Sequence, residues 1–387
     1  MRSFGKWLGR ILLALVLAAA ALGLWKIEEI RRLMAVNSLF EPDRIVGNFS
    51  NMDAAFLHRE IDRGDGPVSP LPAGEPMQMP ERLDRFLTDR NATSLLVLSG
   101  GKIVYEDYLL GTGPDDLRIS WSMAKSYLSA LTGILVGKGL IPDLDAPVTD
   151  YVPELEGGAY GNATIRNVLN MATGVTFDED YLDKGSDINR MGRILALGGE
   201  MDTFAADLTE TFAPPGEQWK YVSIDTHVLG MVLRAAGGKP VVDLMSEHVI
   251  RPLGVERAPY YLTDGTGVAF ALGGLNITTR DYARFGQMFL QRGRWQGTQV
   301  VPSDWVILST TATAPTSGDQ MGYGYQWWLP RDARPREYMG RGIYGQYLYI
   351  NETADVVIVL TAADRRFRDR AVQRDNLELF REIADRL

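Results

Sequence analysis

The sequence predicts an α+β fold in which one antiparallel sheet is flanked by helices and a mainly helical lobe is inserted between its strands. Three observations predict it. Strand-like runs occur near residues 95–108 and again near 323–361, and the stretch between them is mainly helical in pattern. Because strands from both ends of the chain then share one sheet, the helices between them form a lobe. With 387 residues, of which 45% are hydrophobic, the chain can bury a large core.

The composition excludes several classes of function. A net charge of −9 disfavours a nucleic-acid partner, whose phosphates attract a basic surface. The chain has no cysteine, which excludes disulfides, thiolate catalysis and cysteine–zinc sites. Its three histidines, His58, His227 and His248, show no metal-binding spacing. The sequence therefore predicts neither a metal nor another cofactor.

The N-terminus has the pattern of a targeting segment. Arg2, Lys6 and Arg10 precede an apolar run at residues 11–25, which is intermediate in length between a signal-peptide core and a membrane span. Because the helical pattern continues beyond the run, residues 1–33 are predicted to be an uncleaved transmembrane signal-anchor rather than a cleaved signal. The folded part is then exported, anchored to the inner membrane and located in the periplasm or another extracytoplasmic space.

The rest of the chain divides into a linker and one folded domain. Residues 34–80 are interpreted as a linker, because Gly and Pro are dense towards its end. The domain then occupies residues 81–387, with the helical lobe at about 141–310. It begins with a hairpin formed by residues 95–99 and 102–108 around a Gly-Gly turn.

Helices and late strands follow in order. The apolar pattern predicts buried helices at residues 122–135 and 224–236. Thr164 is a candidate N-cap for a helix that runs through residue 171. Thr278 and Asp281 form a candidate capping box for a helix at residues 282–292. The last elements are predicted as strands at 323–329, 346–351 and 356–361 and an amphipathic helix at 376–387.

Ser122 and Lys125 form the first candidate catalytic pair. The Ser-x-x-Lys spacing occurs at Ser3, Ser99 and Ser122, but only Ser122 begins a predicted helix, where residues three apart share a face. A serine hydroxyl becomes nucleophilic when a neighbouring group removes its proton, and a partly buried lysine of lowered pKa does this. From this segment alone, a structural serine followed by a solvent-directed lysine is the favoured explanation, because such spacings are common.

Two further segments supply the remaining chemistry of an acyl transfer. Tyr221, in a loop before the helix at 224–236, is a candidate base or proton relay, although an aromatic packing residue is the simpler alternative. A glycine-rich run at residues 340–346 allows a strand to approach a substrate closely. Backbone N–H groups near Ile343 and at Ser122 would then face the developing oxyanion.

As a set, these segments resemble the β-lactamase-related serine hydrolases, whose Ser-x-x-Lys signature is established. Further matching segments lie at residues 164–174, 273–286 and 323–328, and the 6-aminohexanoate-dimer hydrolase branch is the most similar. The resemblance implies a β-lactamase/transpeptidase-like fold. It also implies that Ser122 is the acylated nucleophile, Lys125 its proton partner and Tyr221 the base.

The resemblance also assigns the oxyanion hole and the substrate-binding positions. The backbone N–H groups of Ser122 and Ile343 occupy the oxyanion hole, and Ser223, Gly342 and Tyr344 are the candidate substrate-binding residues. The chain departs from the family twice. Ser223 replaces an asparagine, and Gly340 replaces the lysine of the Lys-Thr-Gly motif.

These departures favour a small-molecule ester or linear amide as substrate over a β-lactam. Alternatives are a peptidoglycan carboxypeptidase, weak β-lactamase-type activity, or a non-catalytic envelope binding protein, because a fold alone does not establish activity. His227 is interpreted as a packing histidine. The acidic loop at residues 177–187 is a candidate for the mouth of the site, where its charges would attract an amine.

Overall fold

The computed structural model describes residues 7–8, 10–17, 23, 26–181 and 183–387. Its named helices are α1 Ile27–Asn37, α2 Ile45–Asn48, α3 Leu83–Asp89, α4 Ala124–Gly137, α5 Ile165–Leu169, α6 Asp187–Leu197, α7 Met201–Ala206, α8 Ser223–Gly237, α9 Val241–Met245, α10 Arg251–Leu253, α11 Thr279–Leu290, α12 Ser303–Ser309 and α13 Arg370–Ala384. Its strands are β1 His58–Glu60, β2 Ala92–Ser99, β3 Lys102–Tyr108, β4 Arg118–Ile119, β5 Tyr260–Leu262, β6 Leu275–Ile277, β7 Arg294–Trp295, β8 Thr298–Gln299, β9 Gly322–Tyr323, β10 Trp328–Leu329, β11 Glu337–Gly342, β12 Gln346–Asn351 and β13 Val356–Ala362.

A seven-stranded antiparallel sheet forms the centre of the fold. Its strand order is β3-β2-β13-β12-β11-β10-β9, so that β13 from the end of the chain pairs with β2 from the start of the domain. The predicted antiparallel sheet, flanked by helices and built from both ends of the chain, is confirmed. Strands β2 and β13 are buried along almost their whole length, because helices cover both faces of the sheet.

The two faces of the sheet pack against different helices. Helices α3 and α13 cover one face, where Leu95 and Val97 of β2 meet Phe86 and Phe380. Helices α4 and α11 lie on the other face, which continues into the core of the helical lobe. Gly286 of α11 lets this helix approach closely, since a Cβ there would lie 2.6 Å from the Val357 side chain. Helix α4, which follows Ser122, is thus held between sheet and lobe.

Residues 34–80, expected to be a linker, pack largely against the domain. Strand β1 pairs with β5 and so joins a second, four-stranded sheet, in the order β1-β5-β6-β4. Phe49, Met52 and Ile61 are fully buried. The part of this segment that is rich in Gly and Pro is irregular, but it is hydrogen-bonded to the domain. There the Ser69 N–H donates to the Gly254 carbonyl oxygen.

The membrane helix expected at the N-terminus lies partly outside the described residues. Positions 1–6, 9, 18–22 and 24–25 of the predicted signal-anchor are among those not described. In the part of the chain that the structure describes, no helix combines the length and apolar character needed to cross a membrane.

Several element boundaries differ from the expected ones. The predicted strand at 323–329 is instead two short strands, β9 and β10, which pair with each other around a turn where Gln326 has φ +65°. The C-terminal helix begins at Arg370, with Asp369 as its N-cap, rather than at residue 376. The Thr164 and Thr278 N-caps form as predicted, and Thr164 makes a full capping box with Asn167. The expected helical lobe also contains β5 to β8.

Candidate active site

Ser122 lies in a tight turn that leads into α4. A 3-10 turn spans Trp121–Met123, and the α-helix itself begins at Ala124, two residues later than predicted. Trp121 has φ +44°, a left-handed conformation that is unfavourable for a bulky residue. Such backbone strain is concentrated at functional sites, where the surrounding structure holds it in place. The half-buried Ser122 follows directly after this strained residue.

Lys125 faces Ser122 from the first turn of α4. Its Nζ lies 3.3 Å from Ser122 Oγ and donates to the Leu272 carbonyl oxygen at 2.7 Å. The side chain is buried, with 1% of the residue exposed. Burial lowers the pKa of Lys125 to about 7, although the carboxylates of Glu179 and Asp225 oppose this shift. A substantial fraction of neutral amine is therefore available near pH 7 to accept the proton of Ser122.

Tyr221 approaches the same point from the loop before α8. The Lys125 Nζ lies 5.5 Å from the centroid of the Tyr221 ring, which stacks on Trp328 at 5.2 Å. Burial, followed by the Glu179 charge, raises the pKa of Tyr221, and hydrogen bonding to Ser122 acts in the opposite direction. The phenol is therefore protonated at neutral pH. This favours a proton relay over a phenolate base, because Lys125 is the group whose pKa lies near neutrality.

Glu179 is a residue of the site that sequence reasoning missed. Its carboxylate accepts hydrogen bonds from the Ser223 backbone N–H and from the Tyr181 hydroxyl, the latter at 2.8 Å. Burial raises the pKa of Glu179, and Lys125 opposes that shift. The sequence assigned the loop at 177–187 to the mouth of the site, but no periodic pattern distinguishes Glu179 from its acidic neighbours.

Asp225 is a second carboxylate below the site. It is fully buried and accepts hydrogen bonds from the Tyr160 hydroxyl at 2.7 Å and from Thr173 at 3.0 Å. Burial raises the pKa of Asp225 to about 8. It lies in the first turn of α8, whereas Tyr221 precedes the helix, so no helical spacing in the sequence links the two residues.

The glycine-rich segment brings strand β11 against the nucleophile turn. A Cβ at Gly342 would lie 2.5 Å from the Ser120 carbonyl oxygen, so only glycine permits this approach. Ile343 and Tyr344 follow in a 3-10 turn and line the same cavity as Ser122. Gly342 therefore contacts the protein backbone rather than lining the cavity. The Ile343 N–H lies in the segment that the resemblance assigned to the oxyanion hole.

Arg341, next to the position of the missing Lys-Thr-Gly lysine, packs against aromatic rings, and its charge acts to lower the pKa of Tyr221. Its guanidinium carbon lies 5.1 Å from the Trp328 ring centroid and 5.6 Å from that of Tyr347. Arg341 is not among the described residues that line the cavity, as expected for a strand neighbour that points to the opposite face. Gly340 leaves little room for a larger residue, because a Cβ there would lie 3.2 Å from Ser126 Oγ.

The cavity beside Ser122 has a volume of about 360 Å³. Its walls come from the N-terminal segment, from α6 and from the turns around Ser122 and Tyr344, and its described lining is Val36, Asn37, Leu39, Phe40, Met52, Phe56, Trp121, Ser122, Tyr181, Lys184, Ile188, Asn189, Met191, Gly192, Arg193, Leu195, Ser223, Leu262, Phe270, Leu272, Gly273, Ile343 and Tyr344. Two of the three predicted substrate-binding residues, Ser223 and Tyr344, are thus in the lining. The Tyr344 ring stacks on Phe40 at 4.9 Å.

His227 takes no part in this arrangement. It is buried, and its Nε2 lies 2.8 Å from Asp202 Oδ1. Asp202 also accepts a hydrogen bond from Arg234 at 2.6 Å. The interpretation as a packing histidine agrees with these contacts. Among the residues that the structure describes, no group of three or more His, Asp or Glu side chains has the arrangement of a metal site.

A serine hydroxyl, a buried amine and a phenol thus converge beside a cavity, which is the set of groups that a serine hydrolase of this kind requires. The sequence profile of the family described as Beta-lactamase matches residues 81–381. The chain therefore belongs to the Beta-lactamase family, and it is a hydrolase of that family. The resemblance inferred from the sequence motifs, and the fold that it implied, are confirmed.

The chain is also similar to particular proteins of known sequence or structure. The chain is 32% identical over 324 residues to the 6-aminohexanoate-dimer hydrolase of Paenarthrobacter ureafaciens, covering 80% of each protein. A solved structure from Bacillus anthracis, named provisionally as a 6-aminohexanoate-dimer hydrolase, superposes with a TM-score of 0.78 at 25% identity and covers 89% of this chain and 95% of that one. The D-alanyl-D-alanine-carboxypeptidase/endopeptidase AmpH of Escherichia coli K12 is 24% identical over 148 residues, which are 32% of this chain and 38% of AmpH.

Proposed function

We propose that this protein hydrolyses an ester or a small linear amide through an acyl-enzyme on Ser122. The observation that carries the proposal is the 3.3 Å separation between Lys125 Nζ and Ser122 Oγ at the wall of the cavity. The lowered pKa of Lys125, about 7, supports its role as proton acceptor. Tyr221, protonated beside both groups, is suited to relay the proton.

The reaction proceeds in two steps. Neutral Lys125 accepts the Ser122 hydroxyl proton while Oγ attacks the substrate carbonyl, and the N–H groups of Ser122 and Ile343 stabilise the oxyanion. The carbon–oxygen or carbon–nitrogen bond to the leaving group then breaks, and the alcohol or amine departs with the proton returned through Tyr221. In the second step water loses a proton to Lys125 and attacks the ester. The acid leaves and the proton returns to Ser122.

The relatives and the departures from the family support this substrate class. The 32% identical relative is named for hydrolysis of a dimer of 6-aminohexanoate, which is a linear amide. Gly340 supplies no cation for a carboxylate, which weighs against a carboxypeptidase or a β-lactamase activity. AmpH, the relative named as a carboxypeptidase, matches only 32% of this chain. A non-catalytic binding protein remains the alternative of a different class.

The location of the protein is part of the proposal. Arg2, Lys6 and Arg10 before the apolar run at residues 11–25 support export, with the N-terminal segment as an inner-membrane anchor and the hydrolase domain in the periplasm. Cell fractionation, with protease accessibility of the domain in spheroplasts, measures this directly. Recovery of the whole protein in the cytoplasmic soluble fraction would contradict it.

The experiment for the catalytic proposal is a substrate panel on the full chain and on Ser122→Ala. The panel contains p-nitrophenyl esters, short amino-acid amides, a muropeptide and a chromogenic cephalosporin. We expect turnover of esters or linear amides, a loss of about three orders of magnitude or more in kcat for Ser122→Ala, and an intact-mass adduct of a fluorophosphonate on Ser122.

The matched control is Ser99→Ala, because Ser99 also begins a Ser-x-x-Lys sequence but lies at the β2–β3 hairpin. This variant should keep wild-type turnover and labelling. Undiminished turnover in Ser122→Ala would eliminate the mechanism. Ligand binding by the wild type without turnover or adduct would favour the binding protein, and selective cleavage of the muropeptide would favour the carboxypeptidase.

A further inference from the structure

The lining of the cavity beside Ser122 is mainly apolar. The N-terminal segment contributes Phe40, Met52 and Phe56, and helix α6 contributes Ile188 and Met191. Among its described lining residues there is no Asp or Glu. An apolar cavity of about 360 Å³ with a nucleophile in its wall has the form of a site for a hydrophobic group attached to the reacting carbonyl.

The charged residues around this cavity have the opposite sign to that expected from the acidic loop. Lys184 and Arg193 both line the cavity and are exposed, and Arg193 donates to the Lys184 carbonyl oxygen at 2.7 Å. Two acids of the loop, Glu179 and Asp187, do not line the cavity and already accept hydrogen bonds from the protein. Glu179 accepts from the Ser223 N–H, and Asp187 accepts from the Asp178 N–H at 2.9 Å. An ammonium group within this cavity would therefore find cations at the rim and no described carboxylate in the lining.

We propose that this cavity, which we call the acyl pocket, binds the neutral, apolar acyl chain of the substrate and discriminates against a chain that ends in an amine. The inference rests on the proposed function, because it identifies the acyl half of the bond that Ser122 attacks. Burial of each methylene is worth about 0.8 kcal/mol, or about a fourfold gain in kcat/KM. A charged amine buried without a partner is strongly unfavourable.

Gly192 offers a way to fill the acyl pocket without disturbing the fold. It lies within α6 and lines the pocket, and a Cβ added there would meet no atom within 4 Å. The Cβ of a leucine at this position therefore meets no steric barrier, and we expect the remaining side chain to reduce the space in the pocket that is available to an acyl chain. Gly47 is the matched control, because it also lies in a helix, α2, with no atom within 4 Å of an added Cβ, and it does not line the pocket.

The kinetic test measures kcat/KM for p-nitrophenyl acetate, butyrate, hexanoate and octanoate. We expect the wild type and Gly47→Leu to gain about fourfold per methylene over the first additions. Gly192→Leu should lower the octanoate-to-acetate ratio by about tenfold or more. A flat dependence on chain length in the wild type, or an unchanged ratio in Gly192→Leu, would overturn the inference while leaving the Ser122 mechanism intact.

A binding test separates this inference from the failure of catalysis. Calorimetric titration of Ser122→Ala with octanoate and with 8-aminooctanoate measures chain selectivity without turnover. We expect octanoate to bind about tenfold more tightly or better, because the amine is desolvated without a counter-charge. Octanoate binding with no ester turnover in the wild type would keep the acyl pocket and refute the proposed hydrolase function. Equal binding of the two ligands, or a preference for the amine, would refute the pocket assignment.

Discussion

At the scale of single residues, the decisive feature is the inverted order of two pKa values. Lys125 is buried beside Ser122 and its pKa falls to about 7, whereas burial raises the pKa of Tyr221. In free amino acids the two groups titrate close together, near pH 10. The fold therefore separates the pKa of a proton acceptor from that of a proton donor chiefly by burial, which penalises the charged form of each group.

This separation predicts the pH dependence of activity. Because Lys125 acts as a base only when neutral, kcat/KM should rise with pH through a limb near pH 7. The Glu179 carboxylate raises the pKa of Lys125, so removal of its charge in Glu179→Gln should move this limb to lower pH. A pH–rate profile between pH 5 and pH 9 on an ester substrate measures the position of this limb in the wild type and in Glu179→Gln.

Two results would contradict the assignment of the limb near pH 7 to Lys125. A limb that disappears in Glu179→Gln would identify Glu179 itself as the titrating group. A limb that moves to higher pH would contradict the sign of the electrostatic interaction.

The sequence predicted this centre only in part. The i, i+3 spacing on a helix brings Ser122 and Lys125 together, and the structure places Tyr221 beside them, while their catalytic roles stay a prediction. Glu179 could not be predicted, because it reaches the site through a hydrogen bond from a backbone N–H that no sequence pattern encodes. Trp121 could not either, since a left-handed tryptophan is imposed by its surroundings.

At the scale of elements, the end of β11 positions the segment of the predicted oxyanion hole. A Cβ at Gly342 would lie 2.5 Å from the Ser120 carbonyl oxygen and 3.1 Å from Trp121 Cβ. Gly342→Ala should therefore push Ile343 away from Ser122 and lower kcat by about 100-fold, the effect of losing one oxyanion donor. Steady-state kinetics with thermal unfolding measure this.

Gly113→Ala is the control, because a Cβ there meets no atom within 4 Å. A Gly342→Ala enzyme with wild-type kcat would show that this close approach is unnecessary for turnover. A low kcat accompanied by a low melting temperature would be attributed to general destabilisation, so the prediction requires kcat to fall in protein that is still folded.

Helix starts were predicted correctly where they depend on the chemistry of a few neighbouring residues. Thr164 and Thr278 were predicted as N-caps from residue type, and both accept the expected backbone N–H. The run at 323–329 was wrongly predicted as one strand, because its apolar pattern contains a tight turn at Gln326. A positive φ at glutamine is held by tertiary contacts, including hydrogen bonds from its amide to the Val168 and Leu169 carbonyl oxygens.

At the scale of the whole molecule, residues 34–80 pack as part of the domain rather than as a linker to it. Phe49 is fully buried, and its ring lies 5.5 Å from that of Trp121 and 5.4 Å from that of Tyr344. Residues 34–80 were interpreted as a linker because Gly and Pro are dense towards their end. Their partners, such as β5, could not be known from local pattern.

This arrangement predicts a large effect of Phe49→Ala. Removal of a fully buried aromatic side chain should lower the free energy of unfolding by about 3–5 kcal/mol, measured by urea denaturation of the full chain. Val68→Ala in the same segment is the control, because Val68 is 43% exposed and should change stability little. Equal, small effects of the two substitutions would return residues 34–80 to the role of a linker.

The order of strands in the central sheet has a consequence for synthesis. The β2–β3 hairpin emerges early from the ribosome, but its neighbour β13 is among the last parts to be made. Until β13 appears, β2 exposes an unpaired hydrophobic edge, which is a hazard for aggregation. The β13–β2 pairing can therefore form only after nearly the whole chain has been made, and such pairing between distant strands is intrinsically slow.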